Sequence, residues 1–135
     1  MSLRDAFNRK GNLHGMIKNL DGVGNREVSL DELALELHET AVSKGFYDSL
    51  DMSEFNSQAK QLAMIHSEVT EVLEALRKSQ GSHKAVEEIA DIVIRTLDLY
   101  YALIRAGVVV ESLDEVLYEK MEVNSGRPYM HGVKG

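Results

Sequence analysis

Two pairs of carboxylates have the spacing to act together: Glu68-x-x-Glu71 and Glu88-x-x-Asp91. Residues three apart lie on neighbouring positions of a helix surface, so each pair can converge on one ion. Between the pairs runs Ser79-Gln80-Gly81-Ser82, which combines helix-stop and helix-start chemistry. The first pair lies about eleven residues before Gly81 and the second about nine after it, so at roughly 1.5 Å rise per residue both sit ~15 Å from the turn. If the two helices close as an antiparallel hairpin, four carboxylates meet across it. An oxygen-only set suits hard cations, magnesium first and manganese as the other that fits. Di-iron bundle sites use Glu-x-x-His, and no glutamate in this chain has a histidine three residues on.

Spacing alone leaves other readings open. Glu36/Glu39, Glu71/Glu74, Glu111/Asp114 and Glu119/Glu122 show the same interval, as any acidic helix does by accident. A helical projection puts Glu71 nearly opposite the main apolar stripe of its helix, which fits a solvated face equally well. Asp91 has a rival partner set too. Arg95 follows it by four residues and Asp98 by seven, the pattern of an intrahelical ion-pair ladder.

The elements that would position these residues are helices. Ser29-Leu30-Asp31-Glu32 is a capping box, followed at helical spacing by Leu30, Leu33, Ala34, Leu37 and Ala41, with Gly45 as the stop. A second helix is expected from Ser53 to about Lys78, with the stripe Phe55, Ala59, Leu62, Val69, Leu73 and Leu76. A third covers His83 to Ala106, stopped by Gly107, and is apolar on nearly every side, which predicts burial in its own bundle or against another subunit. Ser112-Leu113-Asp114-Glu115 opens a fourth, to about Asn124. The expected fold is all-α, an antiparallel four-helix core over residues 28–135. Residues 1–27, broken by Gly11, Gly15, Gly22 and Gly24, read as a loosely ordered arm.

Composition narrows the class. The 135 residues are 44% hydrophobic and 27% charged, the balance of one globular domain. A net charge of -7 disfavours a nucleic-acid binder, which carries a basic footprint, but a divalent cation can still join an acidic site to a polyphosphate. There is no cysteine, so no thiolate site and no disulfide; this fits a cytoplasmic location. The longest apolar stretch, Ile89 to Ile104, contains Asp91, Arg95 and Asp98 and is too short to span a bilayer.

At four separated places, in order, the chain resembles the MazG-like all-α nucleoside triphosphate pyrophosphohydrolases, in particular the short MazG-like and dCTP pyrophosphatase group. Ile65-His66-Ser67-Glu68-Val69-Thr70-Glu71 and Glu87-Glu88-Ile89-Ala90-Asp91-Ile92-Val93 resemble the two core motifs. His38-Glu39 with Lys44-Gly45-Phe46-Tyr47 resembles the first-helix segment, and Lys120, Asn124 and Arg127-Pro128-Tyr129 the C-terminal signature. The likeness runs over about residues 29–134.

The resemblance implies cleavage of a nucleoside triphosphate between the α and β phosphates, giving the monophosphate and pyrophosphate, in nucleotide-pool house-cleaning. It implies that Glu68, Glu71, Glu88 and Asp91 hold magnesium, with Glu68 or Glu71 the stronger candidate for general base. Lys120, Asn124 and Arg127 would contact phosphate or ribose. The bland alternatives are a snorkelling lysine and a surface arginine before Pro128. His38, Phe46 and Tyr47 are candidates for the base pocket, or aromatic packing at a helix end. His66 is expected in the core, His83 in a first helical turn without a function, and Asp98 in an ion pair or in a supporting role behind the metal ligands. The expected assembly is a homo-oligomer, a tetramer built as two dimers. The alternatives are a non-catalytic oligomeric nucleotide-binding module, a dUTPase, or a phosphoribosyl-ATP pyrophosphatase.

Overall fold

The structure is a computed structural model that describes residues 27–129. The expected N-terminal arm, apart from Glu27, lies outside the described residues, as do residues 130–135. Four helices follow one another: α1 (Leu30–Ser43), α2 (Phe55–Arg77), α3 (Ser82–Arg105) and α4 (Leu113–Ser125). Among the described residues there is no strand, so the all-α expectation holds. No described helix is long and apolar enough to cross a membrane. The chain divides into two compact units. One is Asp31–Val110, with nearly all of α1 and the whole of α2 and α3; the other, within the described residues, is 27–30 with 111–129.

The ends of α1, α2 and α3 share one chemistry. After each last turn, a residue with positive φ lets two successive amides fold back onto carbonyls of that turn. Gly45 N and Phe46 N donate to Val42 O and Ala41 O; Gly107 N and Val108 N donate to Ile104 O and Leu103 O. The same pattern closes α2, where Ser79 N and Gln80 N donate to Leu76 O and Ala75 O. Here, however, the left-handed residue is Ser79, at φ 51°, rather than a glycine. An L-residue with a Cβ is strained there, and serine accepts that strain to make the α2–α3 turn.

The expected helix starts hold with one shift. α4 is capped by Ser112, whose Oγ accepts from Glu115 N at 3.3 Å. In the same unit, Leu30 N donates to Asp114 Oδ1 at 3.0 Å, which satisfies an orphan amide at the start of α1. α2 begins at Phe55 rather than Ser53, because Ser53 N and Oγ both bond Asp51 Oδ1, at 3.0 and 2.6 Å, and hold the chain in a turn.

α2 and α3 pack along each other as a hairpin. The face of α2 that is buried is not the apolar stripe. Phe55, Leu62, Val69, Leu73 and Leu76 are exposed, and the buried residues of α2 are Glu68 and Ala75. On α3, Ala85, Glu88, Leu97, Leu99 and Ala102 are buried, while Val86, Ile89, Val93 and Ile94 are exposed. Alanines on the facing sides allow the helices to approach, and the longer apolar chains stand outward. At the open end of the hairpin Met52, Leu99 and Ala102 form a small core, sealed by Tyr47, Leu50, Ile65, Leu103 and Ala106.

Candidate metal centre

The hairpin brings three of the four predicted carboxylates together. One oxygen each from Glu68, Glu71 and Glu88 lies within 4.8 Å of the other two. Glu68 and Glu88 are buried and Glu71 is exposed. The antiparallel run of α2 and α3 from a short turn brings these stretches of the two helices side by side, although equal distance from Gly81 would match Glu71 with Asp91 rather than with Glu88. Asp91 is not part of this triad. It is exposed on α3, three residues beyond Glu88.

Like charges at this distance disturb one another. The Glu71 carboxyl is held above its usual range, first by the adjoining Glu88 carboxylate and then by the charge of Glu68. Glu88 is held below its usual range, first by the ammonium of Lys84 and then by Glu71. Asp91 is raised, first by partial desolvation against the helix pair, then by the charges of Glu68 and Glu88.

Two cations sit on the triad. Arg95 Nε donates to Glu68 Oε1 at 2.6 Å, and Lys84 Nζ lies 2.7 Å from Glu88 Oε1. The expected Asp91–Arg95–Asp98 ladder is therefore not formed, because Arg95 reaches across to α2 instead. Glu88 Oε2 is buried and meets no N–H or O–H donor. The Glu71 carboxyl beside it can satisfy that oxygen only by carrying a proton itself. A buried carboxylate oxygen without a donor is uncommon and calls for a ligand or a role.

A second polar cluster lies farther along α3. His38, 2% exposed, shares a 2.8 Å hydrogen bond between its Nδ1 and Asp98 Oδ1. A carboxylate only accepts, so Nδ1 carries the proton. Tyr47 Oη donates to Asp98 Oδ2 at 2.8 Å. Burial, then the bond to Asp98, push the Tyr47 phenol well above its ordinary range. The His38 and Tyr47 rings meet edge-on, with centroids 4.7 Å apart, and Tyr101 lies 5.9 Å from His38. Phe46 does not join them; it is 69% exposed. Asp98 thus accepts two hydrogen bonds, from partners that sequence spacing does not reveal.

Other predicted residues are placed as follows. Lys120 and Asn124 are exposed on α4, and Arg127 is exposed in the turn after it, where its backbone N donates to Asn124 O at 3.2 Å. All three belong to the unit that holds α4. His66, expected in the core, is exposed, because the stripe it shares is itself turned outward. His83 pairs with Glu87 at 2.6 Å in the first turn of α3. Sequence reasoning missed Lys84 as a site residue. The signal was present, since Lys84 and Glu88 stand four apart on one helix.

Compared with known proteins, the chain matches no family model, no curated protein and no solved structure.

Proposed function

We infer that the chain is a magnesium-dependent nucleoside triphosphate pyrophosphohydrolase, acting on (d)NTPs between the α and β phosphates. The observation that carries this reading is the convergence of Glu68, Glu71 and Glu88, with an undonated, buried Glu88 Oε2 among them. Three carboxylates without a single imidazole or thiolate fit a hard divalent cation. Glu68, Glu71 and Glu88 would hold it, with Asp91 next to them on α3. When bound, the ion supplies charge neutralisation for the triphosphate and a lowered pKa for an attacking water.

The residues themselves contribute position. Glu68 and Glu88 are fixed by burial in the hairpin, while Glu71 stays exposed. Glu71, the member of the triad that reaches solvent, is therefore the one placed to meet a water at the site. The motif resemblance supports Lys120, Asn124 and Arg127 as phosphate or ribose contacts. His38 and Tyr47 are both held by Asp98 and pack edge-on, so of the two expectations for them, base pocket or aromatic packing at a helix end, the packing one is the better supported. Phe46 offers an exposed ring for stacking.

Incubating the protein with magnesium and a panel of NTPs, dNTPs, dUTP, phosphoribosyl-ATP and modified nucleotides tests the reading. The expected products are a monophosphate and pyrophosphate, and the preferred substrate separates the related activities. Tight binding of a nucleotide with magnesium but no turnover of any would establish the non-catalytic alternative. The exposed stripes of α2 and α3 support self-association, as monomers rarely leave so much contiguous apolar surface in water. We read the assembly as a tetramer of two dimers around an antiparallel four-helix core. Light scattering that finds a monomer at working concentration would remove it.

A further inference from the structure

The two cations on the carboxylate triad have no part in the function proposed above, yet they occupy the oxygens a metal would use. Arg95 takes Glu68 Oε1 and Lys84 takes Glu88 Oε1, while Glu88 Oε2 has no donor. These are not ordinary surface pairs. The carboxylate side chains are 11% and 7% exposed, whereas Arg95 and Lys84 are 37% and 48% exposed. The acids are fixed in the hairpin and the cations reach in from solvent. Charge is also unbalanced among the described residues: three carboxylates face two cations, and no described lysine or arginine lies within ion-pair distance of Glu71.

We propose that Arg95 and Lys84 are built-in counter-cations, which hold the carboxylate triad together until a divalent ion displaces them. The proposal rests on the metal-site reading and adds what that reading lacks, a competitor inside the protein. Without cations, Glu68, Glu71 and Glu88 would repel one another and loosen the hairpin. With them, the apo site keeps its shape, and an incoming ion must break two charge-assisted bonds. Both cations can withdraw at little expense, since their heads already border water. Only an ion that binds three carboxylates more strongly than two tethered monocations do can take the site, which favours Mg²⁺ or Mn²⁺ over K⁺ or Na⁺. Arg95 then competes with the metal, and the strength of its hold on Glu68 sets the metal concentration at which the site fills.

The test is calorimetric titration of Mn²⁺ into the full chain, in constant KCl, for wild type, Arg95→Met, Arg95→Lys and Lys84→Met. Thermal unfolding is recorded in parallel with chelator and with saturating Mn²⁺. Arg95→Met is expected to bind Mn²⁺ about tenfold tighter, the usual weight of one partly buried charge-assisted bond. Arg95→Lys, which keeps the charge, should stay near wild type. In chelator Arg95→Met should melt below wild type, and saturating Mn²⁺ should close that gap, because displacement and binding are linked. Lys84→Met should shift affinity the same way, and decides the matter if Arg95→Met does not fold.

Equal or weaker Mn²⁺ binding by both methionine variants overturns the proposal, since it would make the cations supports of the ligand geometry. A melting gap that persists in saturating Mn²⁺ also overturns it. If neither wild type nor any variant binds Mn²⁺, the metal-site reading fails with it. If all bind alike, only the counter-cation role fails.

Discussion

Helix α3 carries two buried polar clusters that are built on opposite plans. Around Asp98, one carboxylate serves two donors: His38 Nδ1 takes one oxygen and Tyr47 Oη the other. Around Glu88, acids outnumber cations, Glu71 and Glu88 push each other's proton affinity apart, and one buried oxygen has no donor. The first plan maximises satisfied hydrogen bonds and is what a fold uses to fix its parts. The second leaves negative charge unbalanced, which is stable only if something else takes it up. The difference sets a structural joint apart from a candidate site, although both are built on carboxylates of the same helix.

Breaking the joint should have the largest effect on stability. Asp98→Ala leaves His38 Nδ1 and Tyr47 Oη without an acceptor and should cost about 3 kcal/mol, read as a lower urea midpoint. The site should respond with the opposite sign. Glu71→Gln removes a repelling charge, so the chelated protein should melt higher than wild type, while hydrolysis falls on the order of a hundredfold. A Glu71→Gln protein with undiminished turnover would remove Glu71 from the site.

Tyr47→Phe tests the joint more gently, at about 1 kcal/mol near neutral pH. It also has a pH signature. The Tyr47 phenol is raised in the folded state, so above the ordinary ~10 the unfolded chain loses its proton while the folded one keeps it. Wild-type stability should therefore decline as pH rises beyond that point, and the phenylalanine variant should show a smaller decline in alkaline denaturant titrations. Smallest of all, Ser79→Gly should stabilise the hairpin turn by about 0.5–1 kcal/mol, because glycine accepts φ 51° without strain. A loss of stability there would mean that the Ser79 side chain contributes something its backbone position does not show.

Much of the frame is legible in the sequence for local reasons. Capping residues and stop residues act within a turn of themselves, so Ser112, Gly45 and Gly107 announce helix ends directly. The carboxylate register is legible for three of the four acids, since it needs a rise per residue and a short connection; Asp91 falls outside because Glu88, not Asp91, comes up against Glu68 and Glu71. What is not legible is direction. The stripe from Phe55 to Leu76 has the periodicity of a core face, yet the hairpin turns it to solvent and buries Glu68 and Ala75. Periodicity shows that a face is apolar, not which surface covers it. The same limit misplaces His66 and leaves Arg95 with two candidate partners. Spacing offers Asp91 on its own helix, but the packed hairpin offers Glu68 on the next. The partners of Asp98 are hidden for a different reason, as they come from α1 and the turn after it.

Those separations also differ in what it costs the chain to close them. Glu68 and Arg95 are 27 residues apart, whereas His38 and Asp98 are 60 apart. The shorter closure is entropically easier by about 0.7 kcal/mol, less whatever the strained turn at Ser79 costs. The hairpin can therefore close, and Arg95 can reach Glu68, before α1 docks against α3. Three acids are gathered early in a growing structure, and the chain brings the first of their neutralising charges along on the same hairpin.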